Sequence, residues 1–74
     1  MSDTHKLILQ GLRALGPSNP TGVSEADLHA WIEQECPGTR GVLDALMDLE
    51  AVEEVEEMSG YRWRINAARQ GGAA

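Results

Sequence analysis

The sequence has one cysteine, no phenylalanine, one tyrosine and two tryptophans. A lone thiol, Cys36, cannot close an internal disulfide, so a small disulfide-stapled scaffold is excluded. The scarce aromatics, Trp31 and Trp63, both fall on apolar faces, which reads as core packing rather than as platforms for stacked bases. Basic residues are also few. Six Lys and Arg stand against twelve Asp and Glu, a formal net charge of −6, and that balance argues against non-specific attraction to nucleic acid or to an anionic membrane. There is no apolar run long enough to span a bilayer and no signal peptide, so the sequence predicts a cytoplasmic protein without a membrane partner. His5, His29 and Cys36 match no zinc-ligand spacing, Ser24 has no evident His–acid partner, and "GPSNPTG" lacks the lysine and the context of a phosphate loop. No catalytic, cofactor or metal site is therefore predicted, and enzyme activity is not expected.

What is present is a chain of 74 residues, 42% of them apolar. That supports one folded domain, read as residues 1–66, with a loose tail at 67–74 whose small and polar residues offer nothing to bury. A chain of this size buries only about 60% of its unfolded surface. It leaves room for three helices and a hairpin and hardly for a deep cleft. Starting at Met1 and ending in "ARQGGAA", the sequence reads as a complete small open reading frame.

Helical spacing comes first. "THKLILQGLRALG" (4–16) sets Ile8, Leu12 and Leu15 on one stripe with Leu9 beside it, and Gly16-Pro17 stops it. Gly11 costs this helix roughly 1 kcal/mol against Ala, so packing must support it. Leu7 and Leu9 cannot both be covered by one face of a monomer, which suggests pairing of two chains through this helix. "GPSNPTGV" (16–23) is a loop with a short extended piece at Thr21–Val23. "SEADLHAWIEQE" (24–35) starts with Ser24 and Asp27 in a capping-box-like spacing and carries Leu28, Trp31 and Ile32. After "CPG", Thr39 can cap a third helix with core positions Val42, Leu46 and Leu49, flanked by Leu43 and Ala45. Its opposite face holds Arg40, Asp44, Met47, Asp48 and Ala51.

"VEEVEEMSGYRWRI" (52–65) is ambiguous locally, because glutamate would let the helix continue to Glu57. Beyond it, however, Tyr61, Trp63 and Ile65 alternate with Arg62 and Arg64, which is strand periodicity and calls for a partner strand. A two-residue Ser59-Gly60 loop would turn Val55 away from Tyr61 and Trp63. A three-residue loop, Met58-Ser59-Gly60 with Gly60 left-handed, pairs Val55 with Trp63, Glu56 with Arg62 and Glu54 with Arg64, and keeps the apolar residues together.

The order helix, loop with a short strand, helix, tight turn, helix, hairpin resembles the winged helix-turn-helix family. The resemblance rests on "SEADLHAWIEQECPGTRGVLDALMDLEAVEEVEEMSGYRWRI" (24–65) and runs from residue 4 to 65. It implies a mainly α (α+β) fold, with 24–35 as supporting helix, 39–51 as recognition helix and 53–65 as wing. It also implies DNA binding through the recognition helix. The charges depart from that pattern. Segment 39–57 holds Asp44, Asp48, Glu50, Glu53, Glu54, Glu56 and Glu57 against one base, Arg40, a local charge as large as that of the whole chain. DNA readers commonly neutralise about 6–10 phosphates with Lys and Arg, and this chain has six such residues in all.

The expectation that follows is an acidic regulator or inhibitor, of the kind phages and mobile elements encode. It would occlude a basic surface on a protein of nucleic-acid machinery such as RNA polymerase, a nuclease or a CRISPR effector. Arg40, Asp44, Met47 and Asp48 would make contacts, with Glu53, Glu54, Glu56 and Glu57 adding field. The alternative is a DNA-binding transcriptional regulator, dimeric through helix 4–16, using Arg40, Arg62 and Arg64.

Overall fold

The computed structural model describes residues 3–66; the segment read as a tail, 67–74, lies outside them. Three helices carry the core: α1 (Asp3–Leu15), α2 (Glu25–Glu35) and α3 (Val42–Ala51). Three short strands complete the fold, β1 (Val23–Ser24), β2 (Val55–Met58) and β3 (Arg62–Ile65). They form an antiparallel sheet in the order β1-β3-β2. This is an α+β, winged-helix-like architecture.

The helices form where the apolar spacing places them. α1 buries Ile8, Leu9 and Leu12, α2 buries Leu28 and Ile32, and α3 buries Val42, Ala45, Leu46 and Leu49. Val23, Val55 and Trp63 close this core from the sheet side. α1 packs on both other helices and on β3. Gly11 explains how α1 approaches α2 so closely. A Cβ there would stand 2.8 Å from Leu28 Cδ1 and 3.0 Å from the Trp31 ring, so the missing methyl that weakens the helix locally is what lets the two helices meet. Leu9 is only 7% exposed, and Leu7 packs against the same cluster. One chain therefore buries Leu9 and covers Leu7 in part.

Ser24 caps α2 as its spacing predicts: the Asp27 amide donates to Ser24 Oγ at 3.1 Å. α3 differs. It begins at Val42 with Gly41 as N-cap in the left-handed region, φ 74°, and no side-chain cap. Thr39 does not cap it; the Thr39 hydroxyl donates to the Cys36 carbonyl at 2.7 Å and closes the turn after α2 instead. Arg40 consequently lies before α3 rather than on its face.

α3 ends in a Schellman motif. The Glu53 amide donates to the Glu50 carbonyl and the Glu54 amide to the Leu49 carbonyl, at 3.0 and 2.9 Å, which is the bonding pattern of that helix stop. Its left-handed position is held by Glu53, φ 64°, where glycine is the usual occupant. The glutamates of 53–57 are thus not one strand, because Glu53 and Glu54 terminate the helix and only Glu56 and Glu57 belong to β2. A side chain at a left-handed residue costs about 1–2 kcal/mol, and glycine gives part of that back in unfolded-chain entropy. Glu53→Gly is therefore expected to stabilise the protein by about 0.5–1 kcal/mol, read as a rise of a few degrees in thermal melting. Glu53→Ala, which removes the charge but keeps the Cβ, should gain much less. Equal gains for the two would assign the effect to charge repulsion and not to the backbone.

The hairpin corrects the predicted register. Its loop has three residues, as expected, but they are Ser59, Gly60 and Tyr61, and both Gly60 (φ 78°) and Tyr61 (φ 58°) are left-handed. Val55 therefore pairs with Ile65, Glu56 with Arg64, Glu57 with Trp63 and Met58 with Arg62. The slip is two residues, so every side chain keeps its face while each changes its partner. Tyr61 leaves the strand and is 73% exposed at the turn.

Candidate interaction surface

α3 is held by its apolar stripe against α1 on one side and the sheet on the other. The rest of its circumference faces solvent, and this fixes where its charges go. Asp44, Asp48, Glu50 and Ala51 are exposed, as is Met47 at 57%. Asp48 leans toward α1, with its Oδ2 3.4 Å from His5 Nε2, and retains 71% side-chain exposure. Glu53 is exposed at the helix stop and Glu57 on the wing, while Glu54 and Glu56 are half-buried. The structure thus brings Met47 and Glu57 together between α3 and the wing, and leaves Asp44 exposed on α3 and Glu53 exposed at the helix stop. It sets Asp48 at the α1 edge and Arg40 in the connection ahead of the helix.

The wing arginines are engaged. Arg64 Nε donates to Glu56 Oε1 in an ion pair, and the two residues are direct cross-strand partners. Arg62 is half-buried, and its Nη1 donates to the Gly22 carbonyl at 3.4 Å across the sheet. The predicted ion pairs Glu56–Arg62 and Glu54–Arg64 do not form, because the two-residue slip sets Arg62 opposite Met58. An exposed cross-strand pair such as Arg64–Glu56 contributes at most about 1 kcal/mol.

One feature the sequence did not reveal lies between α3 and the wing. Leu43, Met47 and Tyr61 form an open groove of about 340 Å³ over the edge of Trp63. Leu43, placed beside the core by its spacing, is 48% exposed here. Three carboxylates border the groove: Glu25, Glu50 and Glu57. Glu25 Oε1 accepts the indole N–H of Trp63 at 3.2 Å, which anchors the first turn of α2 to the central strand. No Lys, Arg or His among the described residues lines the groove. The signal available in the sequence was weak. Leu43 and Met47 are one turn apart, but Glu57, Tyr61 and Trp63 join them only through the hairpin register.

Among the described residues, no three His, Cys, Asp or Glu side chains converge to hold a metal ion. No helix among them is long and apolar enough to cross a membrane. No buried side-chain nitrogen or oxygen lacks a hydrogen-bond partner among them either, so no orphaned polar group marks a reaction centre. Compared with known proteins, the chain matches no family, no curated protein and no solved structure.

Proposed function

We propose that this protein is a small acidic regulator or inhibitor that binds a protein of nucleic-acid machinery and occludes its cationic surface. One observation carries this reading: the surface of α3 and the wing, which DNA readers of similar architecture lay on phosphates, presents carboxylates. Asp44, Glu50, Glu53 and Glu57 are exposed there, whereas Arg64 is held by Glu56 and Arg62 by a backbone carbonyl. Such a surface repels DNA and attracts a positively charged protein, and complementary charge speeds their encounter. RNA polymerase, a nuclease or a CRISPR effector has the cationic nucleic-acid channel this mechanism requires. The DNA-binding alternative retains Arg40, exposed ahead of α3, as the one of its three arginines without an internal partner among the described residues.

The test is affinity capture from the native host, with the captured protein then purified. Expected are one nucleic-acid-binding protein in stoichiometric yield and competition between this chain and nucleic acid for it. The variant Asp44→Asn with Glu53→Gln should associate roughly three- to tenfold more slowly at low salt, and the difference should shrink as salt rises. The reading is overturned by salt-steep retardation of duplex DNA that disappears in Arg40→Ala with Arg62→Ala and Arg64→Ala, with no protein captured.

A further inference from the structure

The groove between α3 and the wing combines two properties. Its walls are apolar side chains left exposed, Leu43, Met47 and Tyr61, with the Trp63 edge beneath. Every charged residue on its border among the described residues is a carboxylate. Glu25 is committed to the Trp63 indole, but Glu50 and Glu57 have no side-chain hydrogen bond or ion pair among the described residues. They come from different elements, Glu50 from α3 and Glu57 from β2 directly opposite Trp63, so they flank the groove rather than line up along one helix.

An anion is excluded from such a place by charge, and a purely apolar segment would strip water from two carboxylates with nothing in return. A lysine ammonium is strongly hydrated and sits poorly between apolar walls. An arginine guanidinium is planar, weakly hydrated on its faces and always charged; it stacks on aromatic rings while its N–H edges bind carboxylate. The groove volume of about 340 Å³ is near the lower bound of ligand pockets, about 300 Å³, which suits one or two side chains and not a whole helix. We infer that this groove receives an arginine side chain, presented beside an aliphatic residue on a surface segment of the protein partner. The guanidinium lies over Tyr61 between Glu50 and Glu57, and the aliphatic neighbour rests on Leu43 and Met47. This deepens the protein-binding reading and rests on it: the acidic field brings a cationic partner near, and the groove decides which residue of that partner docks.

The test uses the full chain, isotopically labelled, and three acetylated, amidated tripeptides: Ile-Arg-Leu, Ile-Lys-Leu and Ile-citrulline-Leu. Titration with the arginine peptide is expected to shift the Met47 methyl, the Tyr61 ring and the Trp63 indole N–H, saturating with a dissociation constant on the order of 1 mM, about 4 kcal/mol. The citrulline peptide, equal in shape but uncharged, should bind at least fivefold more weakly, with the lysine peptide in between. Glu50→Gln with Glu57→Gln, isosteric and exposed, should abolish the preference for arginine over citrulline while the spectrum stays that of the folded protein. Absence of saturating shifts at these groups, or equal affinity for the arginine and citrulline peptides, overturns the inference. The two readings fail separately. Capture of a stoichiometric partner whose binding is unchanged by Met47→Ala and by Glu50→Gln with Glu57→Gln rejects the groove and leaves the regulator. Arginine-selective peptide binding without any captured partner rejects the regulator.

Discussion

Trp63→Ala is expected to destabilise the protein by about 3–5 kcal/mol, the range for removing a large buried aromatic. Trp63 sits on β3, the central strand, paired with Val23 on one side and Glu57 on the other, and is 2% exposed. Its ring fills the space between sheet and helices, and its N–H fixes the start of α2 through Glu25 at 3.2 Å. Alanine leaves a cavity that the two outer strands cannot collapse into, because both are already tied to β3. At about 0.05–0.15 kcal/mol per residue, a chain of this length has roughly 4–11 kcal/mol of total stability, so the variant loses between about a third and all of it. Urea denaturation followed by far-ultraviolet circular dichroism measures this, with Trp31 as an independent fluorescence reporter. Trp63→Phe separates the two contributions. It keeps most of the ring volume and loses the donor, so it should cost clearly less than alanine. A loss below about 1 kcal/mol for alanine would mean that the indole is not packed as described.

The second large effect is expected at Gly22. Gly22→Ala should cost about 2–4 kcal/mol, combining a left-handed backbone penalty with a steric one. Gly22 has φ 106°, and a Cβ there would lie 2.9 Å from Arg62 Cβ and 3.1 Å from Met58 Cγ. The methionine can swing aside, but Arg62 Cβ is fixed to the backbone of the central strand and cannot withdraw without moving the sheet. The same substitution at Gly60 provides the comparison. That residue is also left-handed, φ 78°, and its nearest contact to an added Cβ is 3.9 Å. Gly60→Ala should pay the backbone part alone, so the difference between the variants measures how tightly the loop before β1 presses on the wing. Equal losses at the two positions would show that the loop yields and that the close approach carries no energy.

Helices α1 and α2 were legible because their information is local. Ile8, Leu12, Leu28 and Ile32 recur at the helical period and are buried, and Ser24 stands one residue ahead of α2, where a cap is required. The start of α3 was less legible. Thr39 is a favoured cap by residue type, though weaker than serine, but the turn after α2 claims its hydroxyl. The hairpin shows how far the apolar pattern reaches. Alternation with period two tests only whether a register is odd or even, so pairing Val55 with Trp63 and pairing Val55 with Ile65 satisfy it equally. Charge pairing favoured the wrong one, since it offered two Glu–Arg pairs there against the single pair Glu56–Arg64 of the register that forms. The register that forms sets Tyr61 left-handed in the turn and lines β3 up with β1, Val23 opposite Trp63.

The order of elements, the buried stripes of the three helices and the excess of carboxylate on 39–57 are written in the chain, because each depends on residue type and near-neighbour spacing. The final placement of those charges is not. The two-residue slip engages Arg64 with Glu56, leaves Glu57 beside the Trp63 edge and turns Tyr61 outward next to Met47. Tertiary structure alone made the groove, because its walls come from segments far apart along the chain and their meeting is fixed by strand register and helix packing, to which local pattern is blind.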